Sequence, residues 1–270
     1  LPAIDERDQV ELLSQTIAGV RSALDEQRAQ LIGGHTMESR QPLAIPSALD
    51  LQLSLSVTGQ TPTGTKPWSK GGIQPGDVLL LSRGLGSGVI FAAAMQGRCD
   101  PWHLDACLQQ LGTSQHPRLD ELLVLQAEQP GCIHACTDIT GFGLLGHLNE
   151  MLTARPASCV DLWIEQIPSF EAALDLLQEG LTSTLAPSNR RALASLGSRV
   201  RAVQHGEDVS NRLEPALEAL LVDPQTCGPL LVSCASSTAR ILENQGWSII
   251  GRSLEQARPQ REKQDAQEKP

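Results

Sequence analysis

The sequence predicts an α+β or mixed α/β fold, and three observations carry that expectation. Val10, Leu13, Ile17, Val20 and Leu24 recur at three- and four-residue spacing with charges between them, which marks an amphipathic helix over residues 5–30 opened by Asp5 or Asp8. Short apolar runs bounded by turn residues, VLLLS at 78–82, the stretch 132–137 and LLVSC at 230–234, have the length of strands. The helical segments between them are of uneven length, which suits a mixed sheet better than a regular doubly wound one.

The other elements follow in order. LIGGHT breaks an apolar pair into Gly33-Gly34, and LDLQLSLSVTG at 49–59 alternates Leu and Val with Gln and Ser, the period of a half-buried strand. The Gly-, Pro- and Thr-rich stretch 60–77 reads as an interdomain connection, dividing a first domain at 1–62 from a second at 63–252. Helices are expected near 89–97, 102–112, 117–127, 144–154, 169–179, 188–196, 214–221 and 236–245, and a final strand at WSIIG. Residues 253–270, charged and Gln-rich, are expected to form a disordered tail.

Composition excludes several classes of function. The chain has 270 residues, 40% of them hydrophobic, enough for a real core. A net charge of −10 without a basic stripe argues against nucleic acid as a partner. No apolar run approaches the ~20 residues that span a bilayer, and the start carries no secretory pattern. Seven scattered cysteines read as reduced thiols, hence a cytoplasmic protein. The opening LPAIDERDQV, without Met, reads as the start of a fragment.

Four segments could carry chemistry. Asp138, at the end of a strand-like run between Thr137 and Thr140, could serve a hard cation such as Mg²⁺ or could cap the helix that follows. Gly33-Gly34-His35-Thr36 could let backbone amides approach an anion, or form an ordinary turn. Gly84-x-Gly86-x-Gly88 matches neither nucleotide-binding fingerprint, and close strand-to-helix packing explains it better. In DPQTCGP at 223–229 a turn-forming Asp-Pro pair is favoured over a nucleophilic Cys227. Cys132, His134 and Cys136 suggest zinc until strand alternation is considered. That alternation puts them on one face as small side chains of a buried strand, with no second ligand pair.

Taken in order, GGHT, PGDVLLL with its Gly-rich loop, TDITGFGLLGHL, Ser188-Asn189 and DPQTCGPLL resemble the selenide, water dikinases (selenophosphate synthetases) from about residue 1 to residue 252. The resemblance implies the two-domain architecture of aminoimidazole ribonucleotide synthetase, with an incomplete N-terminal ATP-binding domain that pairs across a homodimer. It implies conversion of ATP, selenide and water to selenophosphate, AMP and phosphate, with Mg²⁺ bridging the nucleotide phosphates. By motif match, Gly34, His35 and Thr36 would contact ATP, including the nucleotide of the partner subunit, and Asp138 would hold Mg²⁺. A Gly-rich segment with a reactive Cys or selenocysteine, a nearby Lys and further metal aspartates are expected upstream of Leu1. This chain is therefore expected to be the C-terminal two-thirds of the enzyme and inactive alone, and no catalytic residue is assigned within it. The family usually has Ser and Gly where Cys227 and Pro229 stand, and Lys-Pro where Arg83-Gly84 stand. Two other readings stay open. One is another ATP-dependent enzyme of the superfamily, which TDITGFGLLGH argues against; the other is a non-catalytic dimerising homologue, which Asp138 and GGHT argue against.

Overall fold

The computed structural model describes residues 1, 5–38, 51–61, 66–156, 158–192 and 199–255. They divide into two compact units, Leu1–Pro67 with Ser114–Pro117, and the remainder from Trp68 onward.

In the first unit α1 spans Glu6–Glu26, and of the two candidate caps it is Asp5 that accepts from Arg7 N at 3.0 Å. Glu6 and Asp8 in the first turn suit the positive end of the helix dipole. The strand expected at 49–59 does not form. Residues 51–59 have no regular structure, and Leu53, Leu55 and Val57 are exposed. Alternation marks a face able to pair, but a strand needs a hydrogen-bonded neighbour, and none of the described residues supplies one. Residues 49 and 50 lie outside the described residues.

The second unit is built on a seven-stranded sheet. Its strands are β1 (Val78–Leu81), β2 (Ile133–Asp138), β3 (Ser158–Trp163), β4 (Val200–Gln204), β5 (Glu207–Asp208), β6 (Leu230–Cys234) and β7 (Ser248–Glu255). The order is β2-β6-β1-β7-β3-β4-β5, and every neighbouring pair is antiparallel except β3 with β4. The helices are α2 (Ser87–Met95), α3 (Pro101–Gly112), α4 (His116–Glu128), α5 (Gly143–Thr153), α6 (Ala173–Gln178), α7 (Ala186–Ala192), α8 (Pro215–Val222) and α9 (Ser236–Asn244).

All four residues of β1 are buried, because helices cover both faces of this central strand. Leu79 and Leu81 join Ala135, Leu231 and Ile250 in one core with α2, α5, α6 and α8. Val78 and Leu80 join Val232, Cys234 and Trp247 in a second core with Leu122 and Leu125 of α4 and Leu242 of α9. The hairpin β4–β5 was not expected, and β7 runs to Glu255, into the stretch expected to be disordered. Residues 256–270 lie outside the described residues. Among the described residues no helix is long and apolar enough to cross a membrane.

Two substitutions separate the central strand from the unpaired segment. Leu80→Ala should lower the denaturant-derived stability by roughly 2–5 kcal/mol, whereas Leu55→Ala should stay within about 0.5 kcal/mol.

Candidate functional site

Asp138 ends β2 opposite Leu230 of β6, and its side chain is exposed. The turn beyond it leads into α5, whose N-cap position is Phe142 with no side-chain cap. Neither Asp138 nor Thr140 therefore caps the helix, which decides against that reading of Asp138. Among the described residues the Asp138 carboxylate enters no hydrogen bond or ion pair.

The turn is held from outside instead. His147, one turn into α5 and buried, accepts the Thr140 amide on Nε2 at 3.0 Å. The Thr140 carbonyl accepts from Gly143 N at 3.1 Å and from Gln225 N at 2.9 Å, and Ile139 N donates to Pro229 O at 2.9 Å. Asn189 of α7 donates Nδ2 to Gly141 O at 2.8 Å and to Val222 O at 3.0 Å. Gly143 has φ +68°, and a Cβ there would stand 2.7 Å from the Val222 carbonyl carbon, so both conformation and space demand glycine.

The segment 223–229 clasps the Gly-rich loop on its other side. Gln225 Oε1 accepts from Gly86 N (3.0 Å), Ser87 N (3.2 Å) and Ser87 Oγ (3.1 Å). Asp223 Oδ2 accepts from Val89 N at 3.1 Å and from Gln225 Nε2 at 3.1 Å. The first amides of α2 are thus already bonded, and a Cβ on Gly88 would lie 2.2 Å from Pro224 O. The packing reading of Gly84-x-Gly86-x-Gly88 is correct. These residues position backbone and do not cradle a phosphate.

Burial raises the Asp223 carboxyl from 3.8 to about 7, with the bonds from Val89 and Gln225 offsetting part of that rise. The buried Ser183 hydroxyl and the Gly88 amide also face this carboxyl and lower its value in part. Cys227 is exposed and sits at φ +46°, and its carbonyl accepts from Arg83 Nη1 at 3.4 Å.

In the segment that suggested zinc, His134 and Cys136 do share a face of β2, but it is not the buried one. Ile133, Ala135 and Thr137 take the buried face of β2, and His134 and Cys136 the half-buried one. His134 Nδ1 lies 2.7 Å from the Asp77 carboxylate, and burial pushes the Cys136 thiol up to about 12. Among the described residues no group of three His, Cys, Asp or Glu side chains could hold a metal ion.

Gly34, His35 and Thr36 lie exposed on an irregular segment of the first unit, whereas Asp138 belongs to the second. Sequence reasoning gave no role to His147, Asn189 or Gln225, and made Asp223 only half of a turn-forming Asp-Pro pair. Their signal was present only as members of TDITGFGLLGHL, Ser188-Asn189 and DPQTCGPLL.

Residues 74–263 match the family described as AIR synthase related protein, C-terminal domain, and the chain belongs to that family. The expected fold class is thereby established. Among individual proteins, the chain is 31% identical over 242 residues to a selenide, water dikinase of Desulfitobacterium hafniense (strain DSM 10664 / DCB-2), covering 88% of this chain and 63% of that protein. A selenide, water dikinase of Pelobacter propionicus is 32% identical over 233 residues, 86% of this chain and 59% of that protein. The chain thus spans about three-fifths of the length of these relatives. A crystal structure of thiamine-monophosphate kinase from Stenotrophomonas maltophilia K279a aligns with 70% of this chain and 50% of that chain, at 16% identity and a TM-score of 0.44. A likeness that loose carries no functional argument.

The Asp223 carboxyl makes a pH prediction. Because its value is raised from 3.8 to about 7, the folded state holds a proton that the unfolded chain releases across that window. Its contribution to stability is therefore present below about pH 4 and is lost as pH rises through about 7. Asp223→Asn should flatten this dependence and gain on the order of a few kcal/mol at pH 8, measured by denaturant titration across pH.

Proposed function

We propose that the chain is the C-terminal part of a selenide, water dikinase, which converts ATP, selenide and water to selenophosphate, AMP and phosphate. The observation that carries this is the Asp138 carboxylate, left free and exposed on a turn that three other segments hold rigid. Similarity to dikinases over 88% of the chain supports the same reading.

The residues fit Mg²⁺ as a shared ligand. This ion commonly takes one or two carboxylates and completes its shell with waters and substrate phosphates. Asp138 offers one such carboxylate, and the lack of a three-ligand group among the described residues agrees with a metal held largely by the nucleotide. When bound, Mg²⁺ supplies neutralisation of phosphate charge. Asp138 would bind and orient it.

Gly34, His35 and Thr36 form the nucleotide contact of the first unit. A Cβ on Gly33 or Gly34 would meet nothing within 4 Å, and neither residue has a positive φ. Packing and conformation do not require glycine there, which supports a backbone kept open to a phosphate. The Thr36 hydroxyl adds a donor. In the homodimer this segment also serves the nucleotide of the partner subunit. The enzyme works in the cytoplasm, on selenide.

Asp138→Ala in the full-length enzyme should reduce Mg²⁺- and selenide-dependent ATP turnover by about 100-fold or more. Its unfolding midpoint should hold, since the side chain is exposed and unpaired. Turnover at the wild-type rate would sink the metal assignment.

A further inference from the structure

We propose that His147 is the positioning residue of the Asp138 turn, acting as a neutral imidazole that carries its proton on Nδ1 and accepts the Thr140 amide on Nε2. The consequence for Asp138 rests on the metal role proposed above; the tautomer does not.

The tautomer follows from donors and acceptors. A backbone N–H can only donate, so the 3.0 Å contact from Thr140 N requires a lone pair on Nε2. The remaining proton of the ring then sits on Nδ1. Nδ1 is buried, and Glu150 Oε2 stands 3.3 Å from it, at ion-pair distance but outside hydrogen-bond alignment. That oxygen also receives Lys70 Nζ at 2.8 Å. Lys70 and Glu150 are about half and two-fifths exposed, so their pair orients the ring and adds little holding energy.

The groups facing the imidazole are Glu150, Lys70 and Asp138; burial, helped by the Lys70 charge, outweighs the two carboxylates and keeps its basicity below the ordinary range. The Phe142 ring closes one side, with centroids 5.9 Å apart and planes at 49°.

The need for this acceptor is local. α5 has no side-chain cap, so without His147 the half-buried Thr140 amide loses its acceptor. A free amide two residues from Asp138 would let the turn choose other conformations, and a carboxylate that must meet a metal in one geometry would lose its aim. The Thr140 hydroxyl, 3.4 Å from the same Nε2, does not replace the amide contact.

The full chain labelled with ¹⁵N tests the tautomer directly. The His147 ring should show a protonated Nδ1 and an acceptor-type Nε2, and a ring protonated on Nε2 would overturn the proposal. His147→Leu should speed exchange of the Thr140 amide by about tenfold, the loss of one net hydrogen bond. His147→Gln places an oxygen near the former Nε2 and should restore most of the protection. In the full-length enzyme the half-saturating Mg²⁺ concentration for ATP turnover should rise in His147→Leu and recover in His147→Gln. Unchanged Thr140 exchange in His147→Leu would overturn the positioning role. An unchanged Mg²⁺ response in Asp138→Ala would instead overturn the metal reading, so the two failures are told apart.

Discussion

The segment from Asp223 to Pro229 has to satisfy the buried polar groups of two other loops at once, and the geometry at this end of the sheet follows from that constraint. Gln225 does most of it. Its carbonyl oxygen takes the first amides of α2, its amide nitrogen donates to Asp223, and its backbone N–H holds Thr140. A buried amide that lost one of these partners would leave several groups unpaired together, at about 1–3 kcal/mol each. The three loops therefore stand or fall as one network. Burying the Asp223 carboxyl is the cost of that arrangement, and its raised pKa records it.

One consequence concerns where an anion could bind. A helix N-terminus behind a glycine-rich loop is the usual place to look for a phosphate. Here the amides of α2 are already bonded to Gln225 and Asp223, and a glycine such as Gly88 is present because Pro224 leaves no room for a Cβ. The end of β2 is arranged in the opposite way. His147, Asn189 and Gln225 bond the backbone around Asp138 and leave its carboxylate free. Of the two candidate features, only the second retains unsatisfied capacity for a ligand.

What the sequence showed depended on the range of the interaction. Apolar spacing and run length located α1, α4, α9 and the core strands; α4, α9 and the strands bury the residues so marked, whereas α1 has no fully buried residue. The same reasoning failed at 51–59, where alternation is present but a pairing partner is not. The hairpin β4–β5 escaped notice because Val200–Gln204 is half-buried and carries only a weak alternation. Asp138 could be singled out as a candidate, but whether it capped α5 turned on His147, Asn189 and Gln225. Gln225 and Asn189 lie far along the chain, and no local spacing connects them to the turn. In the zinc-like Cys132-x₃-Cys136, alternation placed His134 and Cys136 on one face, but Asp77 as the partner of His134 was not foreseen.

Arg83 and Cys227, two positions at which the resemblance was expected to lapse, meet in space. Arg83 Nη1 reaches the Cys227 carbonyl at 3.4 Å and the Gln110 carbonyl at 3.1 Å, while Nη2 reaches Thr113 O at 3.0 Å. A planar guanidinium holds three carbonyls from two segments with fixed directions, which the point charge of an ammonium does not. Cys227 occupies a left-handed conformation that strains a side-chain-bearing residue. The neighbouring Gly228 carries the close approach to Ile139 O, where a Cβ would stand 1.9 Å away. Pro229 lacks an N–H, but the contact it makes to the Asp138 turn uses its carbonyl. Arg83 and Cys227 therefore form the outer rim of the clasp as a coupled pair. The groups that bond the backbone of the Asp138 turn (His147, Asn189, the Gln225 amide and the Pro229 carbonyl) take no part in that contact.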